Sequence, residues 1–181
     1  MTNNASKELK SFVIQLIIAG VVSVVIIVFV GRIAIVDGYS MAPTLNDNDV
    51  IIVESISRYF GKINSGDIVI MKIPELMGGK KKYAVKRVIA TQGQHVIIAD
   101  GKVSVDGKIL SEGYINGNET LIGNSLYDDL VVPEGCVYVL GDNRLPDKSR
   151  DSRTYGPVNE NRIIGKCWLR VFPLDKAGFV R

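Results

Sequence analysis

From Phe12 the chain runs to Val30 without a charge, FVIQLIIAGVVSVVIIVFV, with Gln15 and Ser23 as the polar interruptions. At about 1.5 Å per residue a helix of this length would span a hydrocarbon layer of roughly 30 Å. Apolarity on every face argues against a buried helix of a soluble domain. GRIAIVDG, which follows, offers no small-x-small cleavage site, so the run reads as a retained anchor and not as a cleaved leader. Lys7 and Lys10 before it, against Arg32 directly after it, favour an amino terminus on the inside. The pattern therefore predicts a cytoplasmic tail over 1–11, a single transmembrane helix over 12–31 and an extracytoplasmic body over 32–181, which places the protein in the cell membrane.

Beyond the anchor the apolar runs become short. RIAIVDG and VIIVESI read as strands separated by a turn at NDND, and NSGDIVIMKI as a turn feeding a strand that Pro74 stops. PELMGGKKK reads as an exposed, mobile loop, and YAVKRVIAT as the next strand. Asp100-Gly101 and Asp106-Gly107 are strong reversal signals inside HVIIADGKVSVDGKIL. The stretch from about 111 to 130 has no clear period and predicts a small excursion inserted in the main sheet, bounded at about 100–132. Strands resume at CVYVLGD and RIIGKCWLRVF, and helical spacing is confined to the region of ESISRYFGK. The expectation is a mainly β body, a coiled sheet or partly closed barrel, without βαβ units.

Composition narrows the partners. The 46% hydrophobic fraction is concentrated in the anchor, and a formal net charge of +3 is too slight and mixed to indicate nucleic acid. Cys136 and Cys167 lie in apolar contexts and are either two buried free thiols or an exported disulfide. With one histidine and no paired-cysteine motif, no zinc site is expected. The sequon at Asn118-Glu119-Thr120 is of the frequency expected by accident.

Candidate chemistry centres on GYSMAPTL. Ala42 stands where a nucleophile elbow needs glycine, His95 beside TQGQ reads as a loop residue, and no serine has a lysine three positions later. Serine with a lysine base remains. A lysine removes a serine proton only when neutral, which burial favours. Lys86 shares a strand face with Ala84 and Val88, with Val85, Arg87 and Ile89 on the other. On this pattern alone Lys86 is either a buried base or a lysine snorkelling from a sheet edge.

GYSMAPTL, SGDIVIM, KRVIA and LGDN with SRDSRTYG occur in one order along nearly the full chain. The set resembles the bacterial type I signal peptidases, in the compact Gram-positive form with one amino-terminal anchor. That resemblance implies a membrane-bound serine endopeptidase that removes signal peptides from exported preproteins after small residues at −3 and −1, without a cofactor. It implies Ser40 as nucleophile, Lys86 as general base and Ser149 as the hydroxyl that orients the lysine amine. Asp142 with Arg87, and Asp151 with Arg153, are implied ion pairs that brace the site. The Ser40 backbone N–H is the implied oxyanion donor. Gly38 replaces the hydroxyl residue that some members carry there, so its own backbone N–H is the candidate second donor. Val36, Asp37, Gly38, Met41, Leu45, Tyr83, Ala84 and Val85 occupy the positions that hold the extended substrate. The implied partners are signal peptides, the lipid bilayer and a nearby secretion translocon, with the enzyme a monomer. RLPDK, Arg144 to Lys148, makes the link before Ser149 longer than the family pattern.

Three rivals stand beside this reading. A self-cleaving repressor would require an amino-terminal DNA-binding helix pair where the apolar run stands. An inactive membrane-tethered binding protein would have no need of both Ser40 and Lys86. The third keeps the chemistry but restricts it to a narrow client set.

Overall fold

The computed structural model describes residues 2–25, 31–59, 63–73, 83–123 and 126–180. The loop predicted at PELMGGKKK and the end of the apolar run, 26–30, lie outside the described residues.

The first element is a helix, α1 (Thr2–Val25), whose side chains from Lys7 to Ser23 are all exposed. It corrects the expected anchor: among the described residues no helix is long and apolar enough to cross a membrane. The reason lies in where α1 begins. Its first turns are TNNASKELKS, and its apolar part within the described residues, Phe12 to Val25, comes to ~21 Å at about 1.5 Å per residue, against a layer of ~30 Å. The transmembrane assignment, and with it the single-pass topology, the cytoplasmic amino terminus and the cell-membrane location of an extracytoplasmic body, lose the helix on which they rested.

The remainder is mainly β, as the short alternating runs predict, with a short helix α2 (Ile56–Tyr59) among the strands. The strands are β1 (Arg32–Ile35), β2 (Val50–Glu54), β3 (Ile68–Lys72), β4 (Tyr83–Thr91), β5 (His95–Ala99), β6 (Lys102–Val105), β7 (Lys108–Ile109), β8 (Asp129–Val131), β9 (Cys136–Leu140), β10 (Val158–Asn159), β11 (Ile163–Phe172) and β12 (Gly178–Phe179). One large, curled sheet has the order β1-β2-β11-β3-β4-β9-β10, with β12 added to β11. A smaller sheet, β7-β6-β5-β8, leaves the large one between β4 and β9, which pair directly with each other. This smaller sheet runs from His95 to Val131. Asp100-Gly101 and Asp106-Gly107 do turn its hairpins, all four residues having positive φ.

Strands at the centre are buried on both faces, so their residues divide by period two between separate cores. In β9, Val137 and Val139 join a cluster with Val69, Met71 and Val88, whereas Tyr138 and Leu140 join one with Val96, Ile98 and Val103 of the smaller sheet. A third cluster, built on Val36, Met41, Leu45, Ile51, Ile68 and Ile70, lies under the segment between β1 and β2. β4 slips register against β9 between Val88 and Ala90, a bulge that turns both Ile89 and Ala90 toward the second cluster. β11 shifts register against both β2 and β3, and such irregularities bend the sheet. Cys136 and Cys167 are free thiols, and burial pushes that of Cys167 up to about 12.

Candidate active site

Ser40 sits in a tight turn between β1 and β2. Met41 and Leu45, both essentially inaccessible, anchor the turn in the third core cluster. Its backbone closes on itself through Ala42 N–H to Tyr39 O (3.2 Å) and Leu45 N–H to Met41 O (2.9 Å). Arg170 of β11 donates to Thr44 O and to the Asp49 carboxylate, fixing the far side.

The loop after β9 closes over this turn. Asn143 N–H donates to Ser40 O (3.0 Å), and Asn143 Nδ2 donates to Tyr39 O (2.9 Å). Gly141 lies so near that a Cβ placed there would stand 2.4 Å from Ser40 O and 2.3 Å from Ser149 Oγ. Only glycine allows that approach. The Ser40 N–H, by contrast, donates to no group among the described residues.

β4 supplies the base candidate. Lys86 pairs with Val69 in the ladder, its side chain is 1% exposed, and its Nζ lies 2.8 Å from Ser40 Oγ and 3.0 Å from Val85 O. The lysine is thus buried and does not snorkel from a sheet edge. The neighbouring Arg87 donates through Nε and Nη2 to the two oxygens of Asp142, at 2.8 and 2.7 Å, and both residues are buried. Thr44 Oγ donates to Asp142 Oδ2 at 2.5 Å, so the Arg87–Asp142 pair also holds the nucleophile turn. Removing one partner of such a buried, forked pair typically costs about 3–5 kcal/mol.

A second forked pair lies behind Gly141. Arg153 Nε and Nη2 donate to the two Asp151 oxygens, each at 2.9 Å, and Gly141 N–H donates to Asp151 Oδ2 at 3.1 Å. Asp151 also caps the short helix α3 (Ser152–Tyr155) by accepting from the Arg153 N–H. Burial alone would raise the Asp151 pKa, but Arg153 and the Gly141 N–H outweigh it and hold the carboxyl below the ordinary carboxylate value. The Arg153 guanidinium is correspondingly raised: burial opposes its charge and Asp151 overcomes that opposition.

Other expected residues fall less simply. Ser149 Oγ is buried beside Gly141 but has no hydrogen-bond partner among the described residues, so it does not hold the Lys86 amine in this conformation. It lies close enough to Asp151 to favour the carboxylate without hydrogen-bond geometry. The Gly38 N–H is already committed to Asp47 Oδ1 at 2.7 Å, and so is not a free oxyanion donor here. Val36, Asp37, Gly38, Met41, Tyr83, Ala84 and Val85 line one cleft of about 630 Å3 with Ser40 and Lys86. Leu45 does not; it belongs to the core beneath. Lys148 and Arg150 stand at the same cleft. His95 pairs with Asp129 on the smaller sheet, where both are exposed.

Several contributors escaped the sequence reading. Gly141 and Asn143 sit within LGDN, but nothing in the pattern distinguishes a packing glycine from a turn glycine. Arg144, Glu112, Thr120 and Tyr114 form a polar network whose members are far apart in the chain, beyond the reach of periodicity. Among the described residues no group of three or more His, Cys, Asp and Glu side chains is arranged for a metal ion.

The chain is similar over most of its length to known proteins. The family described as "Signal peptidase, peptidase S26" matches residues 9–172. Signal peptidase I of Bacillus licheniformis is 34% identical over 182 residues, which cover 97% of this chain and 95% of that protein. Signal peptidase I of Bacillus caldolyticus is 35% identical over 155 residues, 80% of this chain and 81% of that one. Signal peptidase IB of Staphylococcus aureus strain Mu50 is 31% identical, over 94% and 93% respectively. A family match over almost the whole catalytic body, joined to relatives aligned nearly end to end, leads to one assignment: the chain belongs to the signal peptidase family, peptidase S26, and is a serine endopeptidase.

Proposed function

We propose that the chain cleaves signal peptides from secretory preproteins, after a small residue at −1 with another small residue at −3, using Ser40 as nucleophile and Lys86 as general base. The 2.8 Å approach of Lys86 Nζ to Ser40 Oγ at the floor of the cleft carries this reading. The general base has to act as the neutral amine, a form that burial favours in lysines generally. The neutral amine takes the Ser40 proton as Oγ attacks the scissile carbonyl carbon.

The resulting oxyanion is placed to accept the uncommitted Ser40 N–H. Collapse of the tetrahedral intermediate breaks the C–N bond, and the lysine ammonium returns its proton to the departing amine. Water, deprotonated by the same lysine, then hydrolyses the acyl ester and restores Ser40. Asp142, Arg87, Asp151 and Arg153 act through packing, by fixing the two segments that carry the dyad.

The wall of the cleft supports the specificity. β1 pairs with β2 and is an end strand of the large sheet, so its free edge is available for an added strand. Val36, Met41 and Ala84 are already buried at the cleft, which leaves little depth for a side chain beyond alanine size.

The test is incubation of the protein with a secretory precursor, reading the new amino terminus by mass spectrometry. Wild type is expected to cut once after a small-x-small motif. Ser40→Ala and Lys86→Ala are each expected to lose at least about a thousandfold in kcat. Cleavage that survives Ser40→Ala would mean that another residue is the nucleophile.

A further inference from the structure

The segment 111–123 carries no regular secondary structure apart from one bridge, Asn116 to Asn143, yet it contains some of the most strongly held polar side chains in the molecule. Arg144 is 1% exposed, and every nitrogen of its guanidinium donates a hydrogen bond. Nη1 and Nη2 donate to the two oxygens of Glu112, at 3.1 and 2.5 Å, and Nη1 also donates to Thr120 Oγ1. Nε donates to Gly141 O at 2.8 Å. The residue that must pack against Ser40 O and Ser149 is thus gripped on its carbonyl by Arg144 and on its N–H by Asp151.

A second arm leaves the same carboxylate. Tyr114 OH donates to Glu112 Oε1 at 3.0 Å, and the Tyr114 ring lies over Arg87, 3.9 Å from guanidinium carbon to ring centroid. Arg87 is the partner of Asp142, which accepts from Thr44 in the nucleophile turn. Two backbone bonds knit the same surfaces: Asn116 N–H to Asp142 O (2.9 Å) and Arg144 N–H to Asn116 O (3.1 Å).

A passive surface loop would not bury an arginine-carboxylate pair, which has a desolvation cost of several kcal/mol per ion before any return. Nor would it place an aromatic face over a guanidinium that already has a carboxylate partner. Both contacts converge on the segment that fixes Ser40 and on the pair next to Lys86. Resting on the assignment of Ser40 and Lys86 as the dyad, we infer that Glu112, Tyr114 and Arg144 are positioning residues: the excursion is a brace that sets the serine-lysine geometry from behind.

The kinetic signature follows. Substrate is held at the opposite side, in the cleft lined by β1 and the start of β4, and none of the three brace residues lines it. Their loss is therefore expected in kcat and not in KM. A displacement of about 1 Å between nucleophile and base is enough for a loss of about a hundredfold.

The experiment compares wild type, Ser40→Ala, Arg144→Met, Glu112→Gln, Tyr114→Leu and Tyr114→Phe on one peptide spanning a small-x-small site. Thermal melts establish that each variant is folded at the assay temperature. Arg144→Met and Tyr114→Leu are expected to lower kcat about 10- to 100-fold with KM within about twofold. Tyr114→Phe keeps the ring over Arg87 and loses only the bond to Glu112, so it is expected to recover most of what Tyr114→Leu loses. Because Arg144 is buried and its variant can fail to fold, the half-exposed Tyr114 pair and the isosteric Glu112→Gln carry the test independently.

Folded variants with wild-type kcat, or a loss confined to KM, would overturn the brace while leaving the dyad in place. Equal loss in Tyr114→Phe and Tyr114→Leu would overturn the role given to the ring. Activity that persists in Ser40→Ala would remove the dyad reading itself, and the brace with it.

Discussion

Asp151 shows how much one side chain can be asked to do. It accepts both arms of Arg153, caps α3 and fixes the Gly141 N–H, all without contact with solvent. Its pKa in the folded protein is depressed, despite burial, through Arg153 and Gly141. The stability it confers is therefore complete above the unfolded value near 3.8 and disappears as pH falls through the lower folded value. Asp151→Asn is expected to lower stability by about 3 kcal/mol at pH 7, with the gap to wild type closing below about pH 4. Thermal melts of both proteins between pH 7 and pH 3 check this; a gap constant down to pH 3 would show that the carboxylate charge is not what matters. Alternation in YAVKRVIAT places Lys86 between Ala84 and Val88 but leaves burial and snorkelling both open; the four-motif resemblance singles it out. Leu45 was misassigned to the cleft because a motif gives position in the chain and not the direction of a side chain.

At the level of elements, the sheet order explains why the cores differ in sensitivity. Leu140 is fully buried at the end of β9, one residue from Gly141, and packs between the large and small sheets. Leu140→Ala is expected to cost about 3 kcal/mol, the usual range for a core leucine. Ile109→Ala, at an exposed position in the short edge strand β7, is expected to stay within about 0.5 kcal/mol. Urea unfolding of the two variants measures both, and comparable losses would mean that the smaller sheet contributes more than its burial indicates. Elements defined locally were legible: the main strands follow from alternation, and the hairpins of the smaller sheet from two Asp-Gly pairs that accept positive φ. What failed was the long-range or the unpatterned. β8, β10 and β12 are three residues or fewer and carry no period. The Glu112–Arg144 pair joins positions 32 residues apart, and no local signal announces it.

The whole molecule comprises a β body and a helix whose described side chains are exposed. The anchor assignment counts the whole run to Val30, whereas the described helix is apolar only from Phe12 to Val25 and a span requires about twenty apolar residues. Since α1 buries none of its side chains between Lys7 and Ser23, a chain beginning at Gly31 is expected to melt within about 2 °C of the full protein and to cleave a short peptide at a comparable rate. A drop of more than about 5 °C by differential scanning calorimetry would show that α1 has contacts with the body after all. The body itself is closed late. Ser40 belongs to the β1–β2 arm and Lys86 to the β3–β4 arm, and in the large sheet these arms meet only through β11, which ends at Phe172. A ribosome adding roughly 5–20 residues per second spends several seconds between finishing β4 and delivering β11. Throughout that interval the nascent chain has its serine and its lysine but lacks the strand that joins their two arms in the large sheet, so the protease is expected to arm only once synthesis is nearly finished.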